Sequence, residues 1–169
     1  MSFFQKYNRE LIFLNKIGVF KYATSRFPRL LARKLTRKQQ APNVKQEVLK
    51  NFQERFALKT LIETGTYLGE TIHALRNNFE KIYSIELDHD LYSNAKMRFA
   101  HEYHIKIFEG DSAKILPQVI REVREPALFW LDAHYSEGIT ARGAIDTPIM
   151  KELHTVFNQS VKNHVILID

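Results

Sequence analysis

Apolar residues along this chain change their spacing near residue 44. Before that point Phe3, Phe4, Tyr7, Leu11, Leu14 and Ile17 recur at steps of three and four, with Lys6, Arg9, Lys16 and Lys21 between them. That is the spacing of an amphipathic helix. A second basic stretch runs from Arg26 through Pro28 to Lys38 and gives way to a polar link, Gln39, Gln40, Ala41, Pro42 and Asn43. The pattern therefore predicts a helical arm over residues 1–43 and a body over 44–169.

In the body, short β-branched or aromatic runs alternate with longer helical patterns. Residues 60–64, 81–87, 105–109, 127–132 and 165–169 read as five strands, with helices centred near residues 52, 73, 95, 117 and 153. Strands alternating with helices of 10 to 15 residues imply βαβ crossovers and a parallel sheet covered on both faces. The predicted fold class is α/β, a doubly wound, mainly parallel, Rossmann-like sheet preceded by a basic helical arm. The chain stops on the apolar run Val165, Ile166, Leu167, Ile168, Asp169. A sheet ending there leaves a hydrophobic edge that proteins usually cover, so a further C-terminal portion is expected, in a partner chain or beyond this sequence.

Charge sharpens the division. Residues 1–45 hold eleven Lys or Arg against Glu10 alone, a net +10, whereas the whole chain of 169 residues carries +6. The arm is strongly basic and the body mildly acidic. With 44% hydrophobic and 26% charged residues the composition is that of an ordinary globular protein. No cysteine is present, which excludes disulfides, thiolate metal sites and a cysteine nucleophile. No apolar run approaches the ~20 residues of a membrane span, and the N-terminus lacks the features of a secretory signal, so a cytoplasmic protein is expected.

In an open parallel sheet the ligand sits outside the carboxyl ends of the strands, and four predicted strand ends carry informative residues. The first ends in Glu63, Thr64, Gly65, Thr66, Tyr67, Leu68, Gly69, a loop that allows close approach of backbone to a ligand or simply punctuates strand and helix. The second ends at Glu86, 21 residues after Gly65, where a carboxylate can accept both hydroxyls of a ribose or remain a solvated acid. After the third come Asp111 and Ser112, a short polar pair able to meet an adenine or to cap the next helix. The fourth delivers Asp132, His134 and Tyr135 into a glycine-containing loop that runs to Asp146, Thr147 and Pro148, as binding loops and lids do.

In that order and at these spacings, ETGTYLG, SIELD, EGDS and WLDAH resemble the successive motifs of class I S-adenosylmethionine-dependent methyltransferases. The resemblance covers residues 58–169 and does not extend to the arm. It implies that Glu63, Gly65, Thr66 and Gly69 hold the amino-acid end of S-adenosylmethionine, that Glu86 binds its ribose, and that Asp111 and Ser112 meet its adenine. Asp132 and His134 then lie beside the reactive methyl. Two features depart from the family pattern: Tyr67 stands where many members have glycine, and the last two strands expected of the family are missing.

The resemblance implies methyl transfer by in-line displacement, with Asp132 or His134 as general base for a hydroxyl acceptor. Some small O-methyltransferases hold a divalent metal at the ends of strands four and five, which here implies Mg²⁺ at Asp132 and Asp169. Cytosine C5 methylation needs a cysteine and is excluded, and the aromatic or proline-rich strand-four motif of amino-methylating DNA enzymes is absent, so nucleic acid is a poor fit. A small hydroxylated acceptor, a sugar or secondary metabolite, is the leading expectation. The competing readings are an NAD-dependent oxidoreductase, which lacks its full GxGxxG here, and a binding protein working through its arm at a membrane surface or on phosphates. Equally, residues 1–40 can pack on the body or on a second subunit of a homo-oligomer.

Overall fold

The computed structural model describes residues 12–15, 18–21, 44–132 and 148–168. In chain order its elements are β1 (Ile12–Asn15), β2 (Gly18–Lys21), α1 (Val44–Phe56), β3 (Thr60–Thr64), α2 (Glu70–Leu75), β4 (Lys81–Glu86), α3 (His89–Arg98), β5 (Ile105–Glu109), α4 (Ser112–Val119), a 3₁₀ turn (Ile120–Glu122), β6 (Ala127–Leu131), α5 (Pro148–Asn158) and β7 (Val165–Ile168).

Five parallel strands form one sheet in the order β5-β4-β3-β6-β7. The chain enters at the central strand, winds outward through β4 and β5, then crosses back to β6 and β7. The reversal places a topological switch point between the carboxyl ends of β3 and β6, where such sheets bind ligands.

Strand residues alternate between two cores, which is why the strands read as continuous apolar runs. Leu61, Ile82, Leu128, Trp130 and Leu167 join Leu49 of α1, Ile72 and Leu75 of α2 and Phe99 after α3. Ile62, Ile85, Phe129, Leu131 and Ile166 join Leu116 and Val119 of α4 and Leu153 and Val156 of α5. Phe129 is fully buried at the centre of the second core, where truncation to alanine costs about 3–5 kcal/mol. Asp88 caps α3 by accepting the N–H groups of Asp90 and Leu91, both at 2.9 Å.

At the opposite end of the sheet His164 ties β6 to β7. Its Nδ1 accepts the N–H of Ala127 at 3.1 Å, which puts the ring proton on Nε2, 2.6 Å from Gln159 Oε1. Burial holds its pKa down at about 4, and the neutral ring is the form this network needs.

The arm differs in part from its predicted helix. Ile12–Asn15 and Gly18–Lys21 pair as an antiparallel ribbon, Asn15 opposite Gly18, and β1 lies near β7. The runs IFLN and GVFK contain Ile, Phe and Val, which favour strands, and Asn15 and Gly18 flank a two-residue connection of hairpin length. The rest of the arm lies outside the described residues. Among the described residues no helix is long and apolar enough to cross a membrane.

Candidate functional site

The loop between β3 and α2 is built from left-handed backbone. Gly65 has φ 86° and Gly69 φ 73°, values that cost a residue with a Cβ but not glycine. Space is short as well: a Cβ on Gly65 would lie 3.3 Å from Asp132 Cβ, and one on Gly69 would lie 2.9 Å from the Phe99 ring. Gly65 and Asp132 therefore meet across the switch point. Asp132 also donates its N–H to Thr64 O at 3.3 Å, prolonging the pairing of β3 and β6.

Tyr67, at the position where the family often has glycine, takes up φ 50° with an ordinary side chain. Its N–H donates to Glu86 Oε2 at 2.7 Å, and Asp88 N–H donates to Glu86 Oε1 at 3.0 Å. These two bonds fix the carboxylate of Glu86 at the tip of β4 and tie the glycine loop to it. Each carboxylate oxygen keeps further lone-pair capacity for hydroxyl donors. In the adjoining loops three apolar side chains lie outside both cores: Tyr67, Leu68 and Leu87 are more than half exposed.

Beneath the loop Glu63 is 1% exposed. Its Oε2 accepts Ser84 Oγ–H at 2.8 Å, so the Thr66 hydroxyl, 2.7 Å from Ser84 Oγ, must donate to serine. Burial pushes the Glu63 carboxyl up to about 7, against the opposing influence of Ser84 and the positive charge of Lys45.

Past β4, at the carboxyl end of the edge strand β5, Asp111 caps α4, accepting Ala113 N–H at 3.0 Å, and Ser112 opens that helix. Gly110 N–H donates to Glu86 O at 2.8 Å, which brings the turn before Asp111 to the Glu86 tip.

Two residues in this region escaped the sequence reading. Glu152 of α5 is 2% exposed; burial raises its pKa, partly offset by Ser112, and Asp111 and Asp132 add to the rise. Its signal was present: Ile149, Glu152, Leu153 and Val156 form one i, i+3, i+4, i+7 stripe, so the acid falls on the buried face. Lys45, counted with the basic arm, belongs to α1 and reaches Asp132, Nζ to Oδ2 3.7 Å.

The structure thus gathers Glu63, Gly65, Thr66, Gly69, Glu86, Asp111, Ser112 and Asp132 at the carboxyl end of the sheet. His134 and Asp169 lie outside the described residues. Among the described residues no group of three or more metal-ligating side chains assembles.

A glycine loop after the first strand of the sheet, an acid at the tip of the next strand and an acid across the switch point thus stand together at the carboxyl ends of a Rossmann-like sheet. The fold is that of the class I S-adenosylmethionine-dependent methyltransferases. A structure labelled as a caffeoyl-CoA O-methyltransferase from Staphylococcus aureus superposes with TM-score 0.55 and 17% identity, over 74% of this chain and 56% of that one. The S-adenosylhomocysteine-bound methyltransferase PaMTH1 of Podospora anserina superposes with TM-score 0.55 and 14% identity, over 81% of this chain and 56% of that one. The methyltransferase domain of bacterial CtHen1-CN gives TM-score 0.50 and 12% identity, over 69% of this chain and 60% of that one. The chain therefore spans somewhat more than half the length of these structures. No protein-family model and no curated protein matches the sequence.

The residues present fit an adenosyl cofactor. Glu86 offers a fixed carboxylate for ribose hydroxyls, Tyr67 and Leu87 offer exposed apolar side chains in the adjoining loops, and Gly65 brings the Asp132 side chain up to the backbone of the glycine loop.

Proposed function

We propose that this chain is an S-adenosylmethionine-dependent methyltransferase that methylates a hydroxyl of a small acceptor, a sugar or secondary metabolite. The observation that supports it most is the meeting of Gly65 with Asp132 at the switch point, one strand away from the fixed carboxylate of Glu86. Glu86 holds the ribose, Asp111 and Ser112 face the adenine, and the loop from Gly65 to Gly69 carries the amino-acid end. When bound, S-adenosylmethionine supplies an electrophilic methyl group whose transfer is an in-line displacement with no enzyme-bound intermediate. Asp132, half-buried across from Gly65, accepts the hydroxyl proton of the acceptor on a carboxylate oxygen. His134 is the alternative base, and a Mg²⁺ at Asp132 and Asp169 belongs to the same proposal as an aid to acceptor ionisation.

The test is incubation with methyl-labelled S-adenosylmethionine and a panel of sugars, phenols and catechols. Acceptor-dependent formation of S-adenosylhomocysteine is expected for at least one. Tight cofactor binding with no turnover across a panel that spans these classes contradicts the acceptor assignment.

A further inference from the structure

Among the described residues Lys45 is a cation that stands among the acids of the switch point, and the chemistry above makes no use of it. Lys45 Nζ lies 3.7 Å from Asp132 Oδ2 and 4.4 Å from the centre of the Trp130 ring. Its charge also reaches the buried Glu63. Helix chemistry does not call for lysine at this place, because Lys45 is in the first turn of α1, where the helix dipole favours acids and disfavours cations. The Lys45 and Asp132 side chains keep 32% and 24% exposure, so both can be reached by a ligand at the switch point.

We infer that Lys45 receives the carboxylate of the cofactor's amino-acid end, an inference that rests on the S-adenosylmethionine reading above. With the ribose on Glu86 at the tip of β4, the rest of the molecule has one direction across the strand tips, over β3 toward β6. Two strand spacings, roughly 10 Å, separate those tips, comparable with the reach from a ribose hydroxyl to the end of a methionine chain. An α-amino-carboxylate arriving there carries both signs, and this corner offers both: Lys45 for the carboxylate and Glu63 for the ammonium side. The carboxylate draws Lys45 from its long contact with Asp132, which then faces the acceptor.

The experiment is calorimetric titration of the full chain, Lys45→Met and Lys45→Arg with S-adenosylhomocysteine and with 5′-methylthioadenosine, which keeps the adenosine and sulfur but lacks the amino-carboxylate. Lys45→Met is expected to lose roughly ten- to a hundredfold in affinity for S-adenosylhomocysteine, the worth of a charge-assisted bond, and nothing for methylthioadenosine. Retained methylthioadenosine binding shows that the variant is folded, and Lys45→Arg keeps most of the lost affinity. Equal weakening for both ligands, or none for S-adenosylhomocysteine, overturns the role of Lys45 and leaves the cofactor reading standing. A wild-type chain that binds neither ligand overturns both.

Discussion

The backbone N–H of Tyr67 donates to Glu86 Oε2 at 2.7 Å, so the carboxylate expected to bind the ribose also anchors the loop that approaches the ligand. Glu86 is thus both a binding group and a piece of loop architecture, and substitutions there separate the two. Glu86→Gln keeps one acceptor oxygen for the two N–H groups, turns its NH2 toward the other and loses the charge: S-adenosylhomocysteine affinity is expected to fall tenfold or more, with a loss of about 1 kcal/mol of stability. Glu86→Ala strands the N–H groups of Tyr67 and Asp88 as well and costs a further ~1–3 kcal/mol of stability. Calorimetry and urea denaturation on both variants check this; unchanged affinity in Glu86→Gln refutes the ribose assignment.

Gly69→Ala is expected to destabilise the fold by about 1–3 kcal/mol, since alanine must adopt φ 73° and its Cβ must share space with the Phe99 ring, 2.9 Å away. The double variant with Phe99→Leu recovers only the steric part, so denaturant unfolding of the four-member cycle gives a non-zero coupling. Additive effects contradict the contact.

Most of the body was legible in its sequence because both cores depend on period. β3, β4, β5, β6 and β7 fall where the runs at 60–64, 81–87, 105–109, 127–132 and 165–169 place them, to within a residue at their ends. The candidate cofactor residues converge because a parallel sheet gathers its strand ends. Glu152 was missed because it lies on a helix while functional residues were sought at strand ends, and Lys45 because its charge was counted with the arm rather than with the helix it opens. The arm misled in part because alternating Ile, Phe, Leu and Val fit either period over ten residues, and pairing of 12–15 with 18–21 decides it.

Glu63 sets a pH dependence. Burial raises its pKa from 4.5 to about 7, so between those values the folded chain keeps a proton that the unfolded chain has released. Stability from this group is fully present below pH 4.5 and is lost as pH rises through about 7, by roughly 3 kcal/mol at most. Urea denaturation at pH 5 and pH 8 should show Glu63→Gln gaining on the wild type at the higher pH. Parallel curves contradict a protonated buried carboxyl.

His164 acts with the opposite sign. Its pKa is lowered from 6.5 to about 4, so the folded chain releases a proton that the unfolded chain retains. Its contribution is present above pH 6.5 and is lost as pH falls through about 4. His164→Gln is expected to flatten the acid limb of the stability curve relative to wild type, as read by thermal melts between pH 4 and pH 7. An unchanged acid limb refutes the neutral Nε2–H network with Ala127 and Gln159.

Asp132→Asn keeps the size of the side chain at the switch point but removes the proton acceptor. S-adenosylhomocysteine affinity is expected to stay within a few-fold of wild type, while turnover with an accepted hydroxyl substrate falls by 10²- to 10⁴-fold, the range of general-base catalysis. A variant with full turnover moves the base to another residue, His134 first.

Calorimetric titration of the purified chain with S-adenosylmethionine, S-adenosylhomocysteine and NAD decides whether the site at Gly65 and Glu86 takes an adenosyl sulfur cofactor. Saturable binding of the first two at a single site, with no heat from NAD, is the predicted result; NAD binding, or no binding of either sulfur ligand by the folded chain, contradicts it.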